Sequence, residues 1–483
     1  MSIMPEHLVK RDGSVKPFDA AKITAAIAKA GKATGEFGEK RAQEMCETLV
    51  IPKIKSLNLV TPNIEQVQDA VEHALFDSGY FATLRAYIVY REQRAKSRDA
   101  KKSWVNVESS INEYLDQLDW RVNANANQGY SLGGLILNVS GKVVANYWLN
   151  YIYTPEIGAA HRNADIHIHD LDMLSGYCAG WSLRTVLTEG FNGVPGKVEA
   201  GAPKHLSSAT GQIVNFLGTM QNEWAGAQAF SSFDTYMAPY IRKDHLPYHE
   251  VLQCIQELIY NLNVPSRWGT QTPFTNLTFD WTCPEDLKHQ HPVIGGEEQP
   301  FTYGELQAEM DMINRAYIEV MMKGDAKGRV FTFPIPTYNA FFETNCIKGP
   351  DFDWDSPNAL CLFDMTARYG LPYFQNFINS ELKPNMIRSM CCRLQLDLRE
   401  LLKRGNGLFG SAEQTGSLGV VTVNCARLGY LYKGNEEELY KRLDHLLDLA
   451  KQSLEIKRKV IQRHIDQGLF PYTKRYLGTL RNH

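Results

Sequence analysis

The chain has 483 residues, 44% of them hydrophobic, enough on length alone for a large core and roughly two to four domains. Its net charge of -3 and pI near 6.5 exclude a basic nucleic-acid coat, so an anionic ligand has to be met by local arginines, lysines or helix ends. No run of about 18 apolar residues occurs, and charges stand where a signal peptide needs its apolar stretch; a soluble cytoplasmic protein is expected, with neither membrane nor nucleic acid as partner.

Residues 7 to 18 read as two short strands joined by the turn Arg11-Asp12-Gly13. Asp19 is a suitable N-cap for a helix over Ala20 to Ala30, with Gly31 as its terminator. Further helices are predicted over Lys40 to Lys55, Ile64 to Gly79 and Phe81 to Arg98, and the charged stretch Arg91 to Lys102 reads as a linker. Lys10, Arg11 and Lys22 bring three cations and free helix N–H groups to one point, a pattern suited to polyphosphate and equally to a solvated face.

From Asp119 the composition turns rich in Asn, Gly, Trp and Tyr, marking a second domain. Strand-like runs at Asp165 to His169, Phe274 to Phe279, Val330 to Pro336 and Leu418 to Asn424 alternate with helical stretches such as Ser208 to Glu223 and His249 to Leu262. That alternation predicts an α/β fold, a barrel or a layered sheet with helices outside.

The nine cysteines, at Cys46, Cys178, Cys254, Cys283, Cys346, Cys361, Cys391, Cys392 and Cys425, contain no Cys-x-x-Cys, which argues against a disulfide framework and a paired-thiolate zinc site. His167 and His169 share a strand face beside Asp170, yet three polar groups at a strand end are read as hydrogen-bonding around a turn; no metal is expected. Cys178, in Ser-Gly-Tyr-Cys-Ala-Gly-Trp, suits a buried strand. Cys391 and Cys392 are neighbours that rarely bridge each other without strain, and Arg388 and Arg393 favour thiolate there. The glycines at 405, 407, 410 and 416 let nearby backbone bend into a cavity.

Two resemblances join these signals. Val9-Lys10-Arg11-Asp12-Gly13, Phe18-Asp19, Lys22-Ile23 and Ala86-Tyr87-Ile88-Val89-Tyr90-Arg91 resemble the ATP-cone, a regulatory module of ribonucleotide reductases, over residues 3–98. The resemblance assigns ATP or dATP as effector, met by Val9, Lys10, Arg11, Lys22 and Arg91. From about residue 106 the chain is similar to the anaerobic, class III ribonucleotide reductase catalytic subunit. The matching pieces are Asn123 to Asn127, Ala164 to Asp172, Gln271-Thr272-Pro273-Phe274, Met390-Cys391-Cys392-Arg393 and Gly419 to Asn424. The organisation expected is a cone at 3–98, a linker at 99–110 and a catalytic domain at 111–483.

That family implies a ten-stranded α/β barrel of the glycyl-radical enzyme type, with a central finger loop carrying a thiyl-forming cysteine. Cys392 matches it best and Cys391 is the alternate; Cys178 matches the opposing barrel cysteine. A thiyl at Cys392 would abstract the ribose 3′-hydrogen, the 2′-hydroxyl would leave as water, and Cys178 would supply a hydrogen atom. Asn123, Asn125 and Asn127 are candidate donors to substrate oxygens, and equally explicable as a polar turn.

The family also implies a glycyl radical and a structural zinc held by two Cys-x-x-Cys pairs, expected here only in a further C-terminal portion, so that the chain alone is expected to be inactive. Arg427-Leu428-Gly429-Tyr430 imitates the glycine motif but lacks the upstream cysteines. Implied partners are ribonucleoside triphosphates, a radical S-adenosylmethionine activating enzyme and a second copy of the chain, as a homodimer or, with dATP, a tetramer. The specificity site is expected near Ser208 to Glu223. Formate is the favoured reductant over a thioredoxin-like protein. Rival readings are a nucleotide-sensing regulatory protein and another glycyl-radical enzyme.

Overall fold

The computed structural model describes residues 4–9, 15–91, 107–117, 130–268, 271–340, 352–376 and 416–480. The chain divides into two units, residues 1–104 and 105–483. In the first, β1 (His7–Val9) pairs antiparallel with β2 (Val15–Pro17). The Asp19 side chain then accepts a hydrogen bond from Ala21 N at 3.0 Å and opens the helix Ala20–Thr34. Gly31 does not end this helix. It lies inside because the Phe37 ring occupies the space of its missing Cβ, 2.4 Å away, and the left-handed terminator is Gly35, at φ +76°.

The next helical stretch runs from Glu39–Met45 through a π-turn, Cys46–Val50, into Ile51–Ser56. Asn63 and Gln66 form a reciprocal capping box at the start of Ile64–Asp77. The last helix of this unit covers residues 81–91. Ile27, Val50, Val71 and Leu75 are buried between these helices and form the core of the first unit.

The second unit contains β3 (Ile166–Ile168), β4 (Cys178–Trp181), β5 (Gln228–Phe230), β6 (Thr275–Phe279), β7 (Val293–Ile294), β8 (Glu297–Glu298), β9 (Ile335–Ala340), β10 (Tyr373–Asn376), β11 (Gly416–Ser417) and β12 (Val421–Val423). Six of these strands form one curled, half-barrel sheet in the order β10-β9-β6-β5-β4-β11. All neighbours from β10 to β4 are parallel, and β11 closes the edge antiparallel to β4. Parallel strands need long crossovers. Helices supply them: Leu206–Met220 between β4 and β5, Phe233–Asp244 and Tyr248–Leu262 between β5 and β6, Gln307–Lys323 between β6 and β9, and Pro357–Tyr369 between β9 and β10.

The strand expected over Val330 to Pro336 begins later, at Ile335. The N–H groups of Thr332 and Phe333 both donate to Asn263 Oδ1 at 3.1 Å, so a side chain takes the place of a ladder there. The run Leu418 to Asn424 also divides. Ser417 pairs with β4, whereas Val421–Val423 pairs with β3.

Asp234, at the start of the helix Phe233–Asp244, fastens this helix to the sheet. Its buried carboxylate accepts from Thr235 N (3.1 Å), Asp280 N (2.8 Å), Trp281 N (2.9 Å) and Asn314 Nδ2 (2.9 Å). The segment that follows β12 is tied down by Asp165, which receives Arg427 and Arg442 at 2.9 Å each. Among the described residues no helix is long and apolar enough to cross a membrane.

Candidate functional site: the inner face of the half-barrel

Strand registers divide the six-stranded sheet into two unlike faces. Side chains alternate along a strand, and paired residues share a side. One face carries Ala179, Trp181, Phe230, Leu277, Phe279 and Tyr338, all buried in the main apolar core, with Gln228 and Thr275 as its buried polar members. Trp181 stands edge-on to Phe216 and Trp224 there.

The other face carries Ser417, Cys178, Gly180, Ala229, Asn276, Thr278, Ile335, Thr337, Asn339, Tyr373 and Gln375. It is polar, although most of it is buried. Asn276 Nδ2 reaches Thr337 Oγ1 at 3.1 Å, whereas Asn276 Oδ1, Thr278 Oγ1 and both amide atoms of Gln375 have no hydrogen-bond partner. Buried polar atoms are rarely left so. A row of them on one sheet face fits a surface that receives a polar ligand or another polar segment.

Cys178 sits on this face, 1% exposed, among Ala227, Ala229, Tyr177 and Phe274. Its small neighbours keep the surface low around the sulfur. Gly226 is required by that closeness, since a Cβ there would lie 2.6 Å from Cys178 Sγ and 2.7 Å from the Tyr177 ring.

A cavity of about 1070 Å³ opens at the N-terminal ends of β4, β5 and β6, where Tyr177, Gly226 and Phe274 line it. Its wall also includes Lys142, His161, His167, Asp170, Asp172, Ser175 and Arg267. That size accommodates a nucleotide, because ligand pockets commonly run from about 300 to 1,000 Å³. Arg267 is 5% exposed; its guanidinium stacks on Trp268 at 4.5 Å and donates to Trp224 O at 2.8 Å. Burial brings its pKa down to about 10, against the pull of Asp172 and Asp170. Its Nε has no hydrogen-bond partner, and neither has Ser175 Oγ.

His161 and His167 line the cavity, and His169 stands edge-on to His167. The ring centroids of His161 and His167 lie 5.3 Å apart, and those of His167 and His169 4.6 Å. His161 Nδ1 accepts from Ile168 N at 3.1 Å, and His169 Nε2 shares a 2.8 Å hydrogen bond with Thr422 Oγ1. Both rings are held below the usual histidine pKa. For His161 the causes are burial, then His167, Arg162 and His169; for His169 they are burial, then Lys457.

Of the residues singled out in the sequence, Cys178 is in place as the buried strand cysteine. Val9 N donates to Pro62 O at 3.0 Å, joining β1 to the entrance of the helix Ile64–Asp77. Arg91 binds three carboxylates near that helix, Glu65 (2.5 Å), Asp69 (2.7 Å) and Glu72 (2.7 Å). The exposed Lys22 pairs with Asp19 at 3.5 Å. Lys10, Arg11, Asn123, Asn125, Asn127, Cys391 and Cys392 lie outside the described residues. Gly429 falls within the helix Cys425–Leu431.

Sequence reading missed Arg267, the polar strand face and Lys457. The last two left a signal. In Thr275-Asn-Leu-Thr-Phe279 the polar residues Asn276 and Thr278 alternate with apolar ones, and Lys457 falls in the buried stripe Leu446, Leu449, Ser453, Lys457, Ile461, Ile465 of the helix Glu436–Asp466.

Residues 124–483 match the family model for anaerobic ribonucleoside-triphosphate reductase, and residues 6–96 match the ATP cone domain. The chain belongs to the anaerobic ribonucleoside-triphosphate reductase family. It is 25% identical over 473 residues to the anaerobic ribonucleoside-triphosphate reductase of Escherichia coli K12, covering 93% of this chain and 62% of that protein. The Salmonella typhimurium enzyme of the same name is 27% identical over 482 residues, with the same coverage. The chain thus spans about 62% of the length of these curated relatives. In fold, it resembles the anaerobic ribonucleotide reductase of Thermotoga maritima solved with dATP and CTP. The TM-score is 0.59 at 21% identity, covering 81% of this chain and 66% of that one.

Proposed function

We propose that this chain carries the catalytic barrel of an anaerobic ribonucleoside-triphosphate reductase, which converts ribonucleoside triphosphates to 2′-deoxyribonucleoside triphosphates by thiyl-radical chemistry. The observation that carries the reading is Cys178, buried on the polar face of a half-barrel next to a nucleotide-sized cavity. In this reading the sheet is part of a ten-stranded barrel, and a finger loop brings Cys392, or its neighbour Cys391, opposite Cys178. The thiyl at Cys392 takes the ribose 3′-hydrogen, the 2′-hydroxyl leaves as water, and Cys178 returns a hydrogen atom.

An S–H bond is close in strength to the ribose C–H, so this exchange is reversible with sulfur and closed to a serine hydroxyl. The apolar packing behind the sheet keeps bulk water from the radical path. Asn123, Asn125 and Asn127 hold substrate oxygens.

ATP and dATP act as effectors at the cone, where Val9, Lys10, Arg11, Lys22 and Arg91 are the proposed contacts. Activation is assigned to a radical S-adenosylmethionine enzyme that generates a glycyl radical, with a structural zinc and with formate as reductant. The assembly is a cytoplasmic homodimer, with a tetramer under dATP. The test is turnover of CTP to dCTP by the activated full-length protein. Replacing Cys392 with alanine is expected to abolish it, and retained turnover would rule out the thiyl role.

A further inference from the structure

Lys457 is 3% exposed and belongs to the buried stripe of the helix Glu436–Asp466. Its Nζ forms neither a hydrogen bond nor an ion pair with any described residue. It lies 3.2 Å from where a Cβ on Gly419 would stand. Gly419 follows the short strand in which Ser417 pairs with Cys178, and Tyr177 N donates to Leu418 O at 3.1 Å, so the amine sits behind the turn that borders the thiol. A buried ammonium without a direct counter-ion is costly, and a lysine in such a place is ready to give up or take a proton. The charged or titratable groups within its electrostatic reach are Asp170, Asp172 and His169 from the segment after β3, and Cys178 from β4. Burial lowers its pKa, and the two aspartates and Cys178 oppose that shift.

We propose that Lys457 is a positioning residue for Cys178, a buried amine that takes the thiol proton when the sulfur must act as a thiolate and returns it afterwards. The step conserves atoms and electrons. The Cys178 S–H bond breaks, an N–H bond forms on Lys457, and the product is a thiolate beside an ammonium with no change of oxidation state. Asp170 and Asp172 stabilise the ammonium so formed. The proton that Lys457 returns restores the S–H from which the reaction proposed above draws its hydrogen atom, and this inference rests on that reading for its purpose.

The experiment reads the thiol in the resting full chain and needs no turnover, so it can fail while ribonucleotide reduction stands, and the reverse. Raman difference spectra of the wild-type chain minus Cys178→Ala isolate the S–H stretch of Cys178, which is followed as a function of pH. In Lys457→Met the band is expected to persist to a pH higher by about one unit, the effect of removing one positive charge at partly buried range. Superimposable titrations of wild type and Lys457→Met would overturn the proposal. Should Lys457→Met fail to fold, Lys457→Arg decides. Its permanent charge is expected to hold the midpoint at or below the wild-type value, and a higher midpoint would overturn the proposal equally.

Discussion

Replacing Asp234 with alanine removes one acceptor group on which four donors depend: the N–H groups of Thr235, Asp280 and Trp281 and the amide of Asn314. The carboxylate is fully buried, so water does not replace it. Each orphaned buried donor costs about 1 to 3 kcal/mol, so the loss is about 4 kcal/mol at the low end. That is a large part of the roughly 5 to 15 kcal/mol that holds a native protein together.

At about 2 °C per kcal/mol for a domain of this size, the thermal midpoint of the second unit should fall by about 8 °C or more. Asp234→Asn keeps one oxygen and should lose about half as much. Asp325→Ala serves as the contrast, because that half-buried carboxylate, held down to a pKa of about 2 by Arg329, takes its donors from Lys327 N and Arg329 in an exposed turn where water can replace it. Melting followed by tryptophan emission reads all three, with Trp281 beside the site. An Asp234→Ala midpoint within about 2 °C of wild type would refute the assignment of this carboxylate as the fastening of helix to sheet.

Three further outcomes are expected. Gly226→Ala pushes a methyl into Cys178 Sγ and the Tyr177 ring, which should cost about 1 to 3 kcal/mol and displace the sulfur. Turnover should fall by about tenfold or more, since small misplacements are expensive at reacting centres, and an undiminished rate would contradict the position given to Cys178. The imidazoles of His161 and His169 bind protons more weakly folded than unfolded, so their contribution is present above the unfolded pKa near 6.5 and lost as pH falls below it. Melting temperature should therefore drop from pH 7 to pH 5, with a shallower drop in His161→Gln; parallel curves would count against it. Arg91→Ala leaves Glu65, Asp69 and Glu72 facing one another, which should destabilise the first unit by about 2 kcal/mol at pH 7 and less at pH 4, as read by urea melts at the two values.

Local chemistry was legible where one residue decides one feature. Asp19 capped the first helix, the two short strands expected before it pair antiparallel, and the small-residue run around Cys178 became a buried strand. Gly31 misled because a glycine serves close packing as readily as helix termination, and the distant Phe37 ring made that choice. The strand expected from Val330 was shortened by Asn263, nearly seventy residues earlier, which takes the N–H groups of Thr332 and Phe333.

The site was only half visible for the same reason. Alternation in β6 shows that Asn276 and Thr278 share a face, but pairing registers are needed to put Cys178, Thr337 and Gln375 on it. Lys457 was marked by its place in an apolar stripe, yet nothing local says which groups it meets.

The central claim is that the polar face bearing Cys178 receives the nucleotide sugar. A crystal structure of the complete, activated enzyme with bound CTP tests it most directly. The account predicts the ribose between two sulfurs, Cys178 on one side and Cys392 on the other, each within about 3 to 3.5 Å of the carbon it serves. A ribose bound elsewhere, with Cys178 still packed against Gly226 and out of its reach, would contradict it.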